Sequence, residues 1–137
     1  MNITSNEVQI NAKDKIIFQL LSNCNNFKQY VPEIQNWQST ENSCAFSVQG
    51  VGDVQMNITE KNEFSSVVFD VKNKQIKSLS IVFAIKNLEK TSILSGHSTI
   101  DIPIFIAQMI KPSLQKFLNL LMERIKLAVE NKTSSAS

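Results

Sequence analysis

Few side chains in this 137-residue sequence could do chemistry. His97 is the single histidine and Asp101 follows four residues later, so the pair is the first candidate for acid–base work. Their surroundings argue against that role. Over residues 91–102 alternate side chains fall into two rows, Leu94, Gly96, Ser98, Ile100 and Ile102 in one, Ile93, Ser95, His97, Thr99 and Asp101 in the other. A period of two sends such rows to opposite faces of a strand, and the first is the inward one. His97 and Asp101 then face solvent, away from any interior substrate, and His97 is expected to be dispensable.

Cys24 and Cys44 lack a CxxC spacing, and two separated cysteines with one histidine do not make a zinc set. A nucleophilic cysteine would need His97 beside it, which an outward histidine opposes. The two read as reduced, mostly buried thiols. Gly50-Val51-Gly52 is a lone glycine pair in a hairpin, without the strand-to-helix setting of a phosphate loop. No catalytic residue, metal site or cofactor follows from these residues.

Charge excludes further classes. The formal charge of +2 comes from scattered lysines, with Arg124 the only arginine, so no basic face for nucleic acid is expected. Residues 1–9 contain no apolar segment of signal-peptide length, and no run approaches the ~18 apolar residues of a membrane span. A cytoplasmic protein without stable membrane insertion is the expectation.

The elements that must position these residues follow from hydrophobic period. Residues 3–10 alternate as a first strand, and Asn11 with Asp14 three positions on resembles a capping box. Ala12, Ile16, Ile17, Leu20 and Leu21 then share one helical stripe, which stops in the polar cluster 22–26. A short helical turn around residues 27–30 ends before Pro32. Between residues 35 and 102 the period is two, in six runs joined by short turns, so neighbouring strands are antiparallel. Pro103 opens a long amphipathic helix in which Leu114, Phe117, Leu118, Leu121, Ile125 and Ala128 recur to Asn131. Pro112 should kink or restart it, and 131–137 reads as a flexible tail after one domain, 1–130. Leu120 and Leu127 lie off the main stripe, which leaves a monomer or a weak homodimer through that row.

This order, strand, two short helices, six strands and a long C-terminal helix, resembles the START-like or SRPBCC superfamily, which includes polyketide cyclase-like, coenzyme Q-binding and birch-pollen-allergen-like proteins. The local matches are Val8-Gln9-Ile10-Asn11-Ala12 leading into Ile17-Phe18-Gln19-Leu20-Leu21, then Asn25-Asn26-Phe27. The segment from Trp37 to Cys44, and Lys111-Pro112 before Phe117-Leu118-Asn119-Leu120-Leu121, resemble small uncharacterised bacterial members. The resemblance implies an α+β helix-grip fold, a curved seven-stranded antiparallel sheet (β-α-α-β6-α) around the long C-terminal helix.

It also implies a cavity between sheet and helix that binds a small hydrophobic ligand such as a lipid, a quinone or a polyketide-like ring. The walls would be Phe46, Val48, Val54, Met56, Ile58, Phe69, Ile81, Phe83 and Ile100, with Met109, Leu114 and Phe117 opposite, and room left by Gly96 and Ser98. The same apolar period equally describes a filled core. Family likeness keeps two alternatives open: a cyclase or dehydratase using Glu33, Glu60 or Ser98, and an interaction domain like the co-chaperone members.

Overall fold

The computed structural model describes residues 1–31, 34–48, 52–74 and 76–136. In chain order it contains β1 (Asn2–Thr4), β2 (Val8–Ile10), α1 (Asp14–Leu21), a 3-10 helix (Cys24–Gln29), β3 (Ile34–Ser39), β4 (Ser43–Val48), β5 (Gly52–Asn62), β6 (Ser66–Asn73), β7 (Ile76–Leu88), β8 (Thr91–Asp101) and α2 (Ile104–Ala136). The alternating segments form one antiparallel sheet in the order β1-β8-β7-β6-β5-β4-β3, with β2 also on β8. This α+β arrangement of curved sheet and long C-terminal helix is the helix-grip architecture.

Strand register explains the core. Met56 pairs with Val71, Val71 with Leu79 and Leu79 with Ile100, so one apolar row crosses four strands on a single face. The next row runs Ile58, Phe69, Ile81, Ser98 and Ile3. Because side chains alternate, every residue of these rows shares the face that the helices cover. The 3-10 helix lays Phe27 on that face, where its ring lies 5.0 Å from Phe69, 5.1 Å from Tyr30 and 6.0 Å from Phe83.

Four sequence expectations change. The first strand is split: Ile3 pairs with Ser98, but Val8 pairs with Leu94, so an extra residue is accommodated between them. Ser5 stabilises the break by donating its N–H to the Gly96 carbonyl at 2.8 Å and accepting the Gly96 N–H on its hydroxyl at 2.7 Å. Asn11 does not cap α1; Lys13 holds the cap position, and the Asn11 N–H donates instead to Glu130 Oε2 at 2.9 Å. The long helix does not begin again at Pro112, whose position is interior to α2. Pro112 and Gln108 are both exposed, so the carbonyl that proline leaves unbonded faces water rather than the core. Helical geometry also continues to Ala136, beyond Asn131.

From Gln115 onward, α2 closes the open edge made by β1 and β2. Gln115 Nε2 donates to the Thr4 carbonyl at 2.8 Å, Asn119 Oδ1 accepts from the Asn6 N–H at 2.7 Å, and Lys126 Nζ donates to the Gln9 carbonyl at 2.6 Å. With Glu130 on Asn11, these side chains satisfy backbone groups that an edge strand would otherwise present to another chain. The bonds that tie α2 to the sheet edge begin at Gln115.

Candidate functional site

The face between sheet and α2 is set by the parity of five strands. Phe46, Met56, Phe69, Ile81, Phe83, Ser98 and Ile100 all point there, and each retains no more than 4% of its exposure. A side chain lining an open chamber keeps surface that water can reach. These do not, so packing has closed the space beside them. Val54, Ile58, Leu114 and Phe117 are half-buried against the same core, while the Val48 side chain lies outside the described residues.

Met109 does not join the wall; it is 76% exposed. At ~100° per residue it lies about 150° from the stripe of Ala107, Leu114, Leu118, Leu121 and Ile125, which turns it away from the sheet. Ile104 and Phe105 on the first turn of α2 are exposed as well. The room that Gly96 was expected to leave is also taken. A Cβ built on Gly96 would come within 3.1 Å of Met122 Cε, so the tip of this fully buried methionine occupies the place of the missing side chain. Sequence reasoning passed over Met122, which sits next to the helical stripe; the glycine opposite was the signal that something bulky comes close.

Four side-chain polar atoms are buried without a hydrogen-bond partner among the described residues: Ser22 Oγ and Arg124 Nε on half-buried residues, and the Ser98 hydroxyl and the Tyr30 phenol on fully buried ones. Burial pushes the Tyr30 phenol up to about 12; the Gln29 side chain opposes that rise slightly but does not reach hydrogen-bonding geometry on the phenol. Glu60, offered as a reserve polar group, is exposed, and Glu33 lies outside the described residues.

His97 and Asp101 are exposed on the outer face, as their row requires. Among the described residues, His97 Nδ1 and Nε2 meet only the hydroxyls of Thr4 at 3.4 Å and Ser95 at 3.1 Å. His97→Ala should therefore change unfolding free energy by less than about 0.5 kcal/mol in urea titrations. A larger loss would mean that the outer row contributes more to stability than these two contacts account for.

A hollow of about 590 Å³ opens elsewhere, on the outer side of β3 to β6, lined by Asn36, Gln38, Ser47, Asp53, Gln55 and Lys72 among others. Ala45 and Ser47 alternate with buried Cys44 and Phe46, so this hollow faces away from the helix. It touches the expected wall only at Phe46 and Val54. Among the described residues no group of His, Cys, Asp and Glu is arranged to hold a metal ion, and no helix is long and apolar enough to cross a membrane.

No protein-family model matches the sequence, and no curated protein does. Solved structures match closely in backbone. A START superfamily protein from Mycobacterium smegmatis superposes with a TM-score of 0.65 at 13% identity, over 99% of both chains. The Aha1 dimer from Colwellia psychrerythraea gives 0.64 at 16% identity, over 95% of this chain and 96% of that one. The di-domain ARO/CYC protein StfQ of the steffimycin biosynthetic pathway gives 0.76 at 8% identity, with 97% of this chain covering 51% of that one. Identities this low with coverage this complete carry the backbone and leave the chemistry open. From its sheet order, the helix that the sheet grips and these superpositions, the chain has the START-like fold.

Proposed function

We propose that this chain binds a small, mostly apolar molecule, of the lipid, quinone or polyketide-ring kind, between the sheet and the first half of α2. The observation that carries this reading is the Ser98 hydroxyl, buried and unpartnered among the described residues on the sheet face that the helices cover; the Tyr30 phenol is a second buried group without a partner. A core evolved only for packing would use alanine and phenylalanine at these positions, because an unsatisfied buried hydroxyl costs roughly 1–3 kcal/mol. One or two polar groups on a ligand would satisfy them. Entry requires the space to open, and the part of α2 before Gln115 is the element suited to move. Its residue Leu114 is half-buried, and the bonds to the sheet edge start only at Gln115. Likeness to an ARO/CYC protein leaves a cyclase as a further reading, which would need several polar groups converging on the substrate.

Mass spectrometry of the purified protein should find a co-purified apolar compound, and fatty acids or quinones should raise the melting temperature by binding the folded state. Ser98→Ala should weaken the best of these roughly tenfold, about one hydrogen bond, while leaving the protein folded. Failure of a broad apolar library to shift the melting temperature, with no compound carried through purification, would remove the proposal.

A second reading concerns self-association. Phe105, Met109, Leu120 and Leu127 are exposed along one side of α2, with exposed Lys116 and Glu123 between them. Two such helices crossing antiparallel about Leu120 would place Lys116 of each against Glu123 of the other, so the row complements a second copy of itself. Light scattering should then show a dimer at high micromolar concentration that Leu120→Glu abolishes. A monomer at that concentration sinks this reading and leaves ligand binding untouched.

A further inference from the structure

Cys24 and Cys44, far apart in sequence and without a shared motif, come together under the 3-10 helix. Three bonds bring them there. The Cys24 N–H donates to the Glu41 carbonyl at 2.7 Å, which fixes the start of the 3-10 helix on the turn between β3 and β4. Ser39 Oγ donates to Asn25 Oδ1 at 2.6 Å, next to Cys24, and Ser39 is itself the register partner of Cys44. The Trp37 indole N–H donates to the same Ser39 hydroxyl at 3.2 Å and holds it in place. Both thiols are free and buried, and they interact side chain to side chain.

We propose that Cys24 and Cys44 form an oxidisable pair, a modification site at which hydrogen peroxide converts the two thiols into one disulfide that staples the 3-10 helix to β4. The two sulfurs are unlike. The hydrogen bond from Cys44 holds the Cys24 thiol below its ordinary range, with the Lys61 ammonium helping and burial opposing. The same bond, with burial, holds Cys44 above that range. Cys24 is therefore the attacking sulfur and Cys44 the resolving one.

In the first step the Cys24 thiolate attacks one peroxide oxygen. A sulfur–oxygen bond forms, the oxygen–oxygen bond breaks, and hydroxide leaves, giving a sulfenic acid. Cys44 sulfur then attacks Cys24 sulfur, expelling the oxygen as hydroxide. The proton from the Cys44 thiol and the one displaced from Cys24 convert both hydroxides to water. Two thiols lose two electrons in all, and one peroxide becomes two waters. Because both sulfurs are buried, peroxide reaches them only when the short 3-10 helix opens, so the reaction is slow compared with an exposed thiol.

The test treats reduced full-length protein with hydrogen peroxide, removes the excess with catalase, denatures, alkylates free thiols and weighs the intact chain. The expected product is a monomer lighter by two hydrogens that takes up no alkylating reagent and regains both thiols with dithiothreitol. Its melting temperature should rise by roughly 5–10 °C, because the bond closes a loop of about twenty residues. Cys24→Ala and Cys44→Ala each keep the site apolar and should each abolish the loss of two hydrogens on peroxide treatment, because each removes one sulfur of the pair. Two alkylatable thiols after treatment, a disulfide between chains, or an oxidised monomer that melts lower than the reduced one would each overturn the proposal.

Discussion

Phe27→Ala should lower the unfolding free energy by about 3–5 kcal/mol, the cost of emptying a large aromatic site in a well-packed core. Phe27 has no exposed surface, and its ring meets Tyr30, Phe69 and Phe83. Phe69 and Phe83 themselves pack edge to face at 5.4 Å, so the removed ring is the centre of a cluster drawn from the 3-10 helix and two strands. The neighbours cannot collapse into the space, because β6 and β7 are held in register by their ladder and fix where those rings start. Against a total of about 5–15 kcal/mol for a domain, such a loss takes a large share of the stability. Urea denaturation followed through Trp37 fluorescence measures it. A loss under about 1 kcal/mol would mean that the 3-10 helix is not seated on the sheet as described.

Raising the pH through the range from about 10 to about 12 should destabilise the protein by roughly 2–3 kcal/mol through Tyr30 alone. The phenol ionises near its ordinary value of 10 in the unfolded chain but only near 12 in the folded one, because burial disfavours the charged form. The folded state therefore holds the proton longer. Its stability contribution is complete below pH 10 and is lost as pH rises through the folded value. Tyr30 is the only tyrosine, so tyrosinate absorbance reports this one residue without ambiguity. The folded protein should titrate near 12, and Tyr30→Phe should lack this part of the alkaline slope. At neutral pH the same variant should be as stable as the parent or slightly more so, since the hydroxyl it removes has no partner among the described residues. Ionisation near pH 10 in a protein that remains folded would show that the phenol reaches water.

Period and punctuation, which are properties of the sequence alone, determined the elements and their faces. Along β8 the row of Leu94, Gly96, Ser98 and Ile100 is buried while its counterpart is half-buried at Ile93 and Ser95 and exposed from His97 on, so the outward position of His97 was legible in the alternation of its neighbours. The same logic located the six-strand meander and the apolar stripe of the long helix, because burial on one face of a regular element leaves a mark at period 2 or 3.6. Met109 was misplaced for a related reason: residues 104–110 are apolar nearly all round, and a segment without a polar side gives period nothing to measure.

Tertiary structure decided whatever depends on two distant elements meeting. The break between β1 and β2 exists because Ser5 finds Gly96 across the sheet, and a strand's own alternation does not report a bulge. Met122 fills the place beside Gly96, so a gap inferred on one strand was closed by a helix roughly twenty-five residues further along the chain. Cys24 and Cys44 become a pair only once the 3-10 helix folds back onto the turn between β3 and β4. Local patterns record which way a side chain faces; its neighbour across the core is chosen by how the elements pack, and no local period encodes that.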